Sequence, residues 1–226
     1  MPTILCVFAH PDDESFGSGG TIARYVAQGV PVDLLCFTSG QVGATPEPID
    51  TPEKLGLLRT HELRAACRVL GIRQLTLLDY MDGQLDQIDK QELANHVLRQ
   101  IEASNADTIV TFGQHGITRH GDHIAAHKAA MAGVDQASRS LRVFYGAVPK
   151  EFAKQFELEG PEAEPTHDID ITEFFDTKLD ALACHSSQQD AREFFLMVNN
   201  VKLMSEQYYR VLPPPEPGRT YQDLFE

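Results

Sequence analysis

Three short stretches of this 226-residue chain carry side chains able to do chemistry. The first is Ala9-His10-Pro11-Asp12-Asp13-Glu14. His10 and Asp13 stand three apart around a proline turn, so both can reach one ion. Imidazole nitrogen and carboxylate oxygen are the donors a zinc-type cation takes. Asp12 then points elsewhere, free for acid–base work. A plainer reading makes Asp12, Asp13 and Glu14 the cap and acidic first turn of a helix, favoured by its dipole. That reading leaves His10-Pro11 without a reason.

The second stretch runs from Gly113 to His127 and holds His115, His120, His123 and His127, four of the nine histidines. His120 and His123 flank Asp122 at a predicted helix start. His123 and His127, four apart, share one helical face. The alternative is a solvated, histidine-rich turn. The third stretch, Arg59-x-x-Glu62, lies on a predicted helix. By itself it reads as a surface ion pair at i,i+3 or as a binding element.

These stretches need elements to bring them together. Ile4 to Ala9 is a short apolar run, as expected of a strand buried on both faces. Pro11 ends it, since proline cannot donate to a ladder. Further strands are predicted over Val32–Thr38, Leu75–Asp79, Asp107–Phe112, Val143–Val148 and Asp168–Ile171. Helices are predicted over Ile22–Gly29, Lys54–Leu70, from the Asp89 cap to Ala103, from Ile124 onward, from Thr172 or Asp176 to Cys184, and over Ala191–Tyr209. Strand and helix alternate, so the fold class is α/β: a Rossmann-like, mostly parallel sheet with helices on both faces, one domain over 1–226. The first two stretches then leave the carboxyl edge of one sheet, where such folds bind ligands. Gly17, Gly19 and Gly20 lack the third glycine of a dinucleotide fingerprint and read as permitting a tight turn and close helix–strand packing. The 39–48 loop leaves the same edge. Segment 150–165 reads as an excursion or lid.

A net charge of −14 excludes nucleic acid and anionic membrane as partners, because both would be repelled. Cys6, Cys36, Cys67 and Cys184 form no Cys-x-x-Cys pair and read as reduced thiols, which fits a cytoplasmic location. No apolar run is long enough for a membrane span. The tail from Pro213 to Glu226 reads as extended and available to a neighbouring copy, which leaves a homo-oligomer open.

Taken together, the motifs resemble the LmbE/PIG-L-like zinc-dependent N-deacetylases. The matching parts are Ala9 to Glu14 with Gly19-Gly20-Thr21, Arg59-x-x-Glu62 on a helix ending in Leu70-Gly71, His120-x-Asp122-His123 with His127, and Lys178 through His185-Ser186-Ser187-Gln188. One departure is Arg119-His120-Gly121-Asp122-His123, where the family usually shows Gly-His-Pro-Asp-His. It loosens the turn and adds a cation at the rim. The resemblance implies Zn2+ held by His10, Asp13 and His123, with Asp12 as general base. It implies His120 as donor to the developing oxyanion, oriented by Asp122, and Arg59 as a substrate contact. Arg59 and Arg119 together suggest a substrate with an anionic group near the sugar. Iron or cobalt would suit the same donors. His185 is expected either at the pocket or as a helix C-cap.

The implied activity is removal of the N-acetyl group from an N-acetylglucosamine-type amino-sugar conjugate, releasing acetate. Two other readings stay open: an amidase on a thiol-sugar conjugate or other small amide, and a non-catalytic sugar- or nucleotide-binding Rossmann module.

Overall fold

The computed structural model describes residues 2–46, 48–154 and 157–226. Parts of the 39–48 loop and of the 150–165 excursion therefore lie outside the described residues. One seven-stranded sheet organises the chain, in the order β3-β2-β1-β4-β5-β7-β6. Its parallel part contains β1 (Ile4–Phe8), β2 (Val32–Thr38), β3 (Gln74–Tyr80), β4 (Thr108–Thr111) and β5 (Arg142–Ala147). The helices α1 (Asp13–Ala27), α2 (Pro52–Leu70), α3 (Lys90–Ser104), α4 (Gly116–Arg119) and α5 (Gly121–Gln136) belong to this part. The remaining helices are α6 (Lys150–Ala153), α7 (Phe175–Cys184) and α8 (Gln189–Val201).

Strand order reverses at β1, which has β2 on one side and β4 on the other. That is a topological switch point, where a crevice opens at the carboxyl ends. Every residue of β1, β2 and β4 is buried, as expected of the unbroken apolar runs in β1 and β2. Helix ends follow local chemistry. Thr51 caps α2, Asp89 accepts the Gln91 and Glu92 N–H groups at the start of α3, and Gly71 closes α2 at φ 75°.

Four expectations are corrected. Residues 16–21 are not a turn before a helix at Ile22, because α1 already begins at Asp13. The close packing expected of these glycines holds at Gly20, where a Cβ would lie 2.5 Å from the Ile171 side chain, and not at Gly17, where it would meet nothing within 4 Å. Ala191–Tyr209 is not one helix. α8 stops at Val201, Lys202 adopts φ 52°, and Ser205–Leu212 forms β7 between β5 and β6, antiparallel to both. The inward positions of β7 are Glu206, Tyr208 and Arg210, so the alternation that marks a strand was written in polar residues. The tail packs on its own chain: Tyr221 bridges to His167 of β6 (His167–Asp170), and Leu224 is buried, its N–H donated to Tyr25. Glu62 is buried and accepts from Ser186 and Ser187, so Arg59 and Glu62 are not a surface pair.

The four cysteines are free, three of them buried. No helix among the described residues is long and apolar enough to cross a membrane.

Candidate metal centre and active site

The sheet brings together two histidines that are 113 residues apart in sequence. His10 Nδ1 lies 3.2 Å from His123 Nε2. Asp13 Oδ1 is 3.4 Å from that Nε2, and Asp13 Oδ2 is 3.8 Å from His10 Nδ1. The other nitrogen of each ring already has an acceptor. His10 Nε2 faces Asp82 Oδ1 at 3.0 Å and Asp122 Oδ2 at 3.2 Å. His123 Nδ1 faces the Gly116 carbonyl at 2.9 Å. Those acceptors draw the ring hydrogens to His10 Nε2 and His123 Nδ1. Two imidazole lone pairs and a carboxylate are then left converging on one point.

Such an array repels itself unless a positive charge sits within it, either an extra proton on His10 or a cation that displaces it. Zinc bonds of ~2.0–2.1 Å in a tetrahedron would place donor atoms roughly 3.3–3.4 Å apart, close to the separations found. The residues present therefore fit a divalent cation. His10, Asp13 and His123 would supply three N/O donors, and three would leave a tetrahedral position open. Each ligand is braced. Asp13 Oδ2 accepts the His10 N–H at 2.8 Å and the Ala9 N–H at 3.2 Å, at the amino end of α1. The Phe112 ring stacks on His123 at 4.1 Å, and His127 Nδ1 holds the Phe112 carbonyl at 3.0 Å. His127 thus supports the site from behind.

Donor atoms of His10, His120 and His123 also lie within 4.8 Å of one another, as do those of His10, Asp82 and Asp122. The second grouping is a hydrogen-bonded shell, because Asp122 also accepts the Gly83 N–H at 2.7 Å and the Leu85 N–H at 3.0 Å. In the first, His120 is the exposed member, and its Nδ1 accepts the Asp122 N–H at the start of α5. Its Nε2 then carries the hydrogen and can donate. The expected bond from the Asp122 carboxylate to His120 is not formed. That carboxylate faces His10, and Asp122 steadies His120 only through its backbone.

Asp12 is turned away from the ligands by its own backbone, at φ 102° in the left-handed region. A non-glycine residue there stores strain, and such strain gathers at functional sites. Arg59 holds it. Nη2 donates to Asp12 Oδ2 at 2.9 Å and to the Pro11 carbonyl at 2.6 Å, and Nη1 donates to the Gly40 carbonyl at 2.9 Å. Arg59 is only 3% exposed. In this structure Nη2 serves the Asp12 turn and Nη1 the Gly40 carbonyl, while the buried Nε has no partner. Arg119 is exposed, and its Nη2 donates to the Glu157 carbonyl at 2.6 Å. His185 closes α7 and lies behind the site, its Nε2 2.8 Å from Glu14 Oε1.

Charge sets the proton positions. Burial pushes the Asp12 carboxyl up to about 7, with Asp13 adding to the effect and Arg59 opposing it. Burial alone would lower His10, but the Asp122 and Asp82 carboxylates, with Asp13, outweigh it and raise the imidazole to about 10. Burial lowers His123. Asp82 was not among the residues singled out from the sequence. The available signal was its position just past β3, on the edge that carries the other site residues.

The architecture and donor set define an α/β protein with a candidate histidine–carboxylate cation site at a sheet switch point. Residues 5–134 match the PIG-L family, described as GlcNAc-PI de-N-acetylase, and the chain belongs to that family. It is 36% identical to a probable N-acetyl-alpha-D-glucosaminyl L-malate deacetylase 2 of Bacillus cereus, over 83% of this chain and 84% of the relative. It is 33% identical to a 1D-myo-inositol 2-acetamido-2-deoxy-alpha-D-glucopyranoside deacetylase of Actinosynnema mirum, over 83% and 81%. Among solved structures, the 4-carboxy-2-hydroxymuconate hydratase GalB of Pseudomonas putida superposes with a TM-score of 0.76 at 19% identity, covering 96% of this chain and 99% of that one. The N,N'-diacetylchitobiose deacetylase of Pyrococcus horikoshii gives 0.70 at 19%, covering 92% and 83%. These two share the fold.

Proposed function

We propose that this protein is a zinc-dependent N-deacetylase that hydrolyses the acetamide of an N-acetylglucosamine-type conjugate and releases acetate. The observation that carries this reading is the facing pair of ring nitrogens with Asp13, beside a buried Asp12 and an exposed His120. The named activities of the two relatives agree with it. The free, mostly buried thiols support a reducing, cytoplasmic setting.

A divalent cation held by His10, Asp13 and His123 supplies a Lewis acid and makes water nucleophilic at neutral pH. Asp12, with a carboxyl near neutrality, takes a proton from the attacking water at a carboxylate oxygen and delivers it to the departing amine nitrogen. His120 donates its Nε2 hydrogen to the oxygen that becomes negative as the carbonyl turns tetrahedral. Asp82 and Asp122 keep the hydrogen of His10 on Nε2. Arg59 keeps Asp12 in its strained turn. Arg119, exposed beside His120, meets an anionic group on the aglycone.

The test is acetate release from a panel of N-acetylglucosaminides, bearing malate, inositol or no aglycone, with one larger N-acyl analogue. It is run before chelation, after chelation and after zinc is restored. Acetate release that stops on chelation and returns with zinc is expected. Undiminished turnover after chelation rejects the cation. Preference for the larger acyl group makes the enzyme a different amidase. Arg119→Ala should weaken the malate conjugate more than the free sugar, and an unchanged ratio removes Arg119 from recognition.

A further inference from the structure

His10 and His123 face the cation site as equals, yet they are supported differently. His10 has two carboxylates directly on its second nitrogen. His123 has no carboxylate there: its Nδ1 faces the Gly116 carbonyl at 2.9 Å and, further off, the Thr118 hydroxyl at 3.4 Å. A metal-bound imidazole is normally oriented and made more basic by an anion behind it. An anion does stand behind His123, one peptide unit further away.

Glu162 is fully buried, and the hydrogen bonds it accepts come from the 113–117 segment. Its Oε2 accepts the His115 N–H at 2.8 Å and lies 2.7 Å from His115 Nδ1, and its Oε1 accepts the Ile117 N–H at 3.0 Å. The Ile117 N–H and the Gly116 carbonyl belong to the same peptide group. That group is planar, with N–H and C=O pointing in opposite directions. A carboxylate holding its N–H therefore aims its carbonyl, and the carbonyl holds His123 Nδ1. Hydrogen bonds in such a chain also polarise one another, drawing electron density toward the imidazole.

The local backbone is built for this contact. A Cβ on Gly113 would sit 2.3 Å from Glu162 Cγ, and one on Gly116 2.6 Å from His123 Cβ. Gly116 has φ 64°, and Ile117 has φ 60° and ψ −59°. A β-branched residue rarely adopts that conformation unless its surroundings impose it. Val148 donates its N–H to the Glu162 carbonyl at 3.0 Å, which ties the excursion to the end of β5.

We infer that Glu162 is a positioning residue for the ligand His123, acting through the Gly116–Ile117 peptide. The Gly160–Ala163 turn that carries it is thereby part of the cation site. The inference rests on the cation reading above, and its test separates the two.

Cobalt and zinc binding are measured on the intact chain, together with the visible spectrum of the cobalt form and the melting temperature of the metal-free form. In Glu162→Gln one amide group would face an N–H with an N–H. The variant should bind the cation about 10- to 100-fold more weakly, with an altered cobalt spectrum. Asp33→Asn serves as the control. Asp33 is a buried carboxylate paired with Arg73 at the amino end of β2. Its loss should lower the melting temperature and leave cation affinity and spectrum at parental values. Parental affinity and spectrum in Glu162→Gln overturn the inference while the cation reading stands, and so do equal shifts in both variants. A parent that binds neither cation overturns both. Should Glu162→Gln not fold, amide hydrogen exchange of the parent decides: cation loading must slow exchange at His115 and Ile117, and unchanged rates reject the linkage.

Discussion

Two buried charged clusters lie along α1, and they solve opposite problems. At its amino end, Asp13 and the two imidazoles converge on one point, with only the proton of the raised His10 to balance the carboxylates of Asp13, Asp82 and Asp122. Along its middle, Lys178 and Glu206 form a pair in which each also meets the helix backbone. Lys178 Nζ donates to the Phe16 carbonyl at 2.7 Å and pairs with the Glu206 carboxylate. Glu206 accepts the Gly20 N–H at 3.0 Å and the Thr21 N–H at 2.7 Å. The second cluster is complete, so it holds structure. The first is incomplete, which is the condition the proposed cation would satisfy. Burial alone does not separate them, for both are nearly closed to solvent. What separates them is whether the charges present cancel.

The largest effect that would sharpen this contrast is kinetic. Asp12→Asn should retain the cation, measured by metal analysis, and lose about 10²- to 10⁴-fold in turnover, the usual worth of a general base. Loss of the cation instead would exchange the roles of Asp12 and Asp13. Next comes the paired cluster. Lys178→Met leaves Glu206 buried without its cation and should cost about 3–5 kcal/mol of unfolding free energy by denaturant titration. Cation affinity should stay at the parental value. A large loss of affinity with little loss of stability would erase the distinction between the clusters.

Asp13→Asn should do the reverse. It removes a ligand, so cation binding collapses, while the metal-free protein loses one of the three carboxylates that hold the raised His10 and melts only slightly lower than its parent. A markedly lower melting temperature would mean that the converging donors were holding the fold. The smallest effect is on pH. His10 is raised to about 10 without a cation, so uptake at neutral pH must displace its proton. Apparent affinity should rise about tenfold per pH unit as pH increases toward that value, with about one proton released in buffers of differing ionisation heat. The metal-free protein shows the opposite trend. The stability due to the raised His10 is fully present below its ordinary value near 6.5 and is lost as pH rises through about 10. Affinity that is flat with pH would show His10 neutral beforehand.

Much of this site was legible in the chain. His10, Asp13, His120 and His123 stand just past two predicted strands, and parallel topology alone brings those strand ends together. β2 lies where the apolar run puts it, over Val32–Thr38. β7 was missed because its inward face is Glu206, Tyr208 and Arg210, a pattern that reads as strand only once Lys178 and the α1 backbone are known to face it. Asp82 and Glu162 were missed for a related reason. A lone carboxylate in a turn carries no local sign of the ring or amide it will meet.

The chain by itself determined which side chains could bind a cation and that they follow strands, because strand length, proline stops and helix caps depend on neighbours within a few residues. Only the tertiary structure decided what stands behind each of them. Asp82 meets His10, Glu162 reaches the peptide that holds His123, and Arg59 crosses 47 residues to hold Asp12. Those contacts are set by how close the backbone allows two elements to come. Gly113 and Gly116 grant that closeness only in a folded sheet.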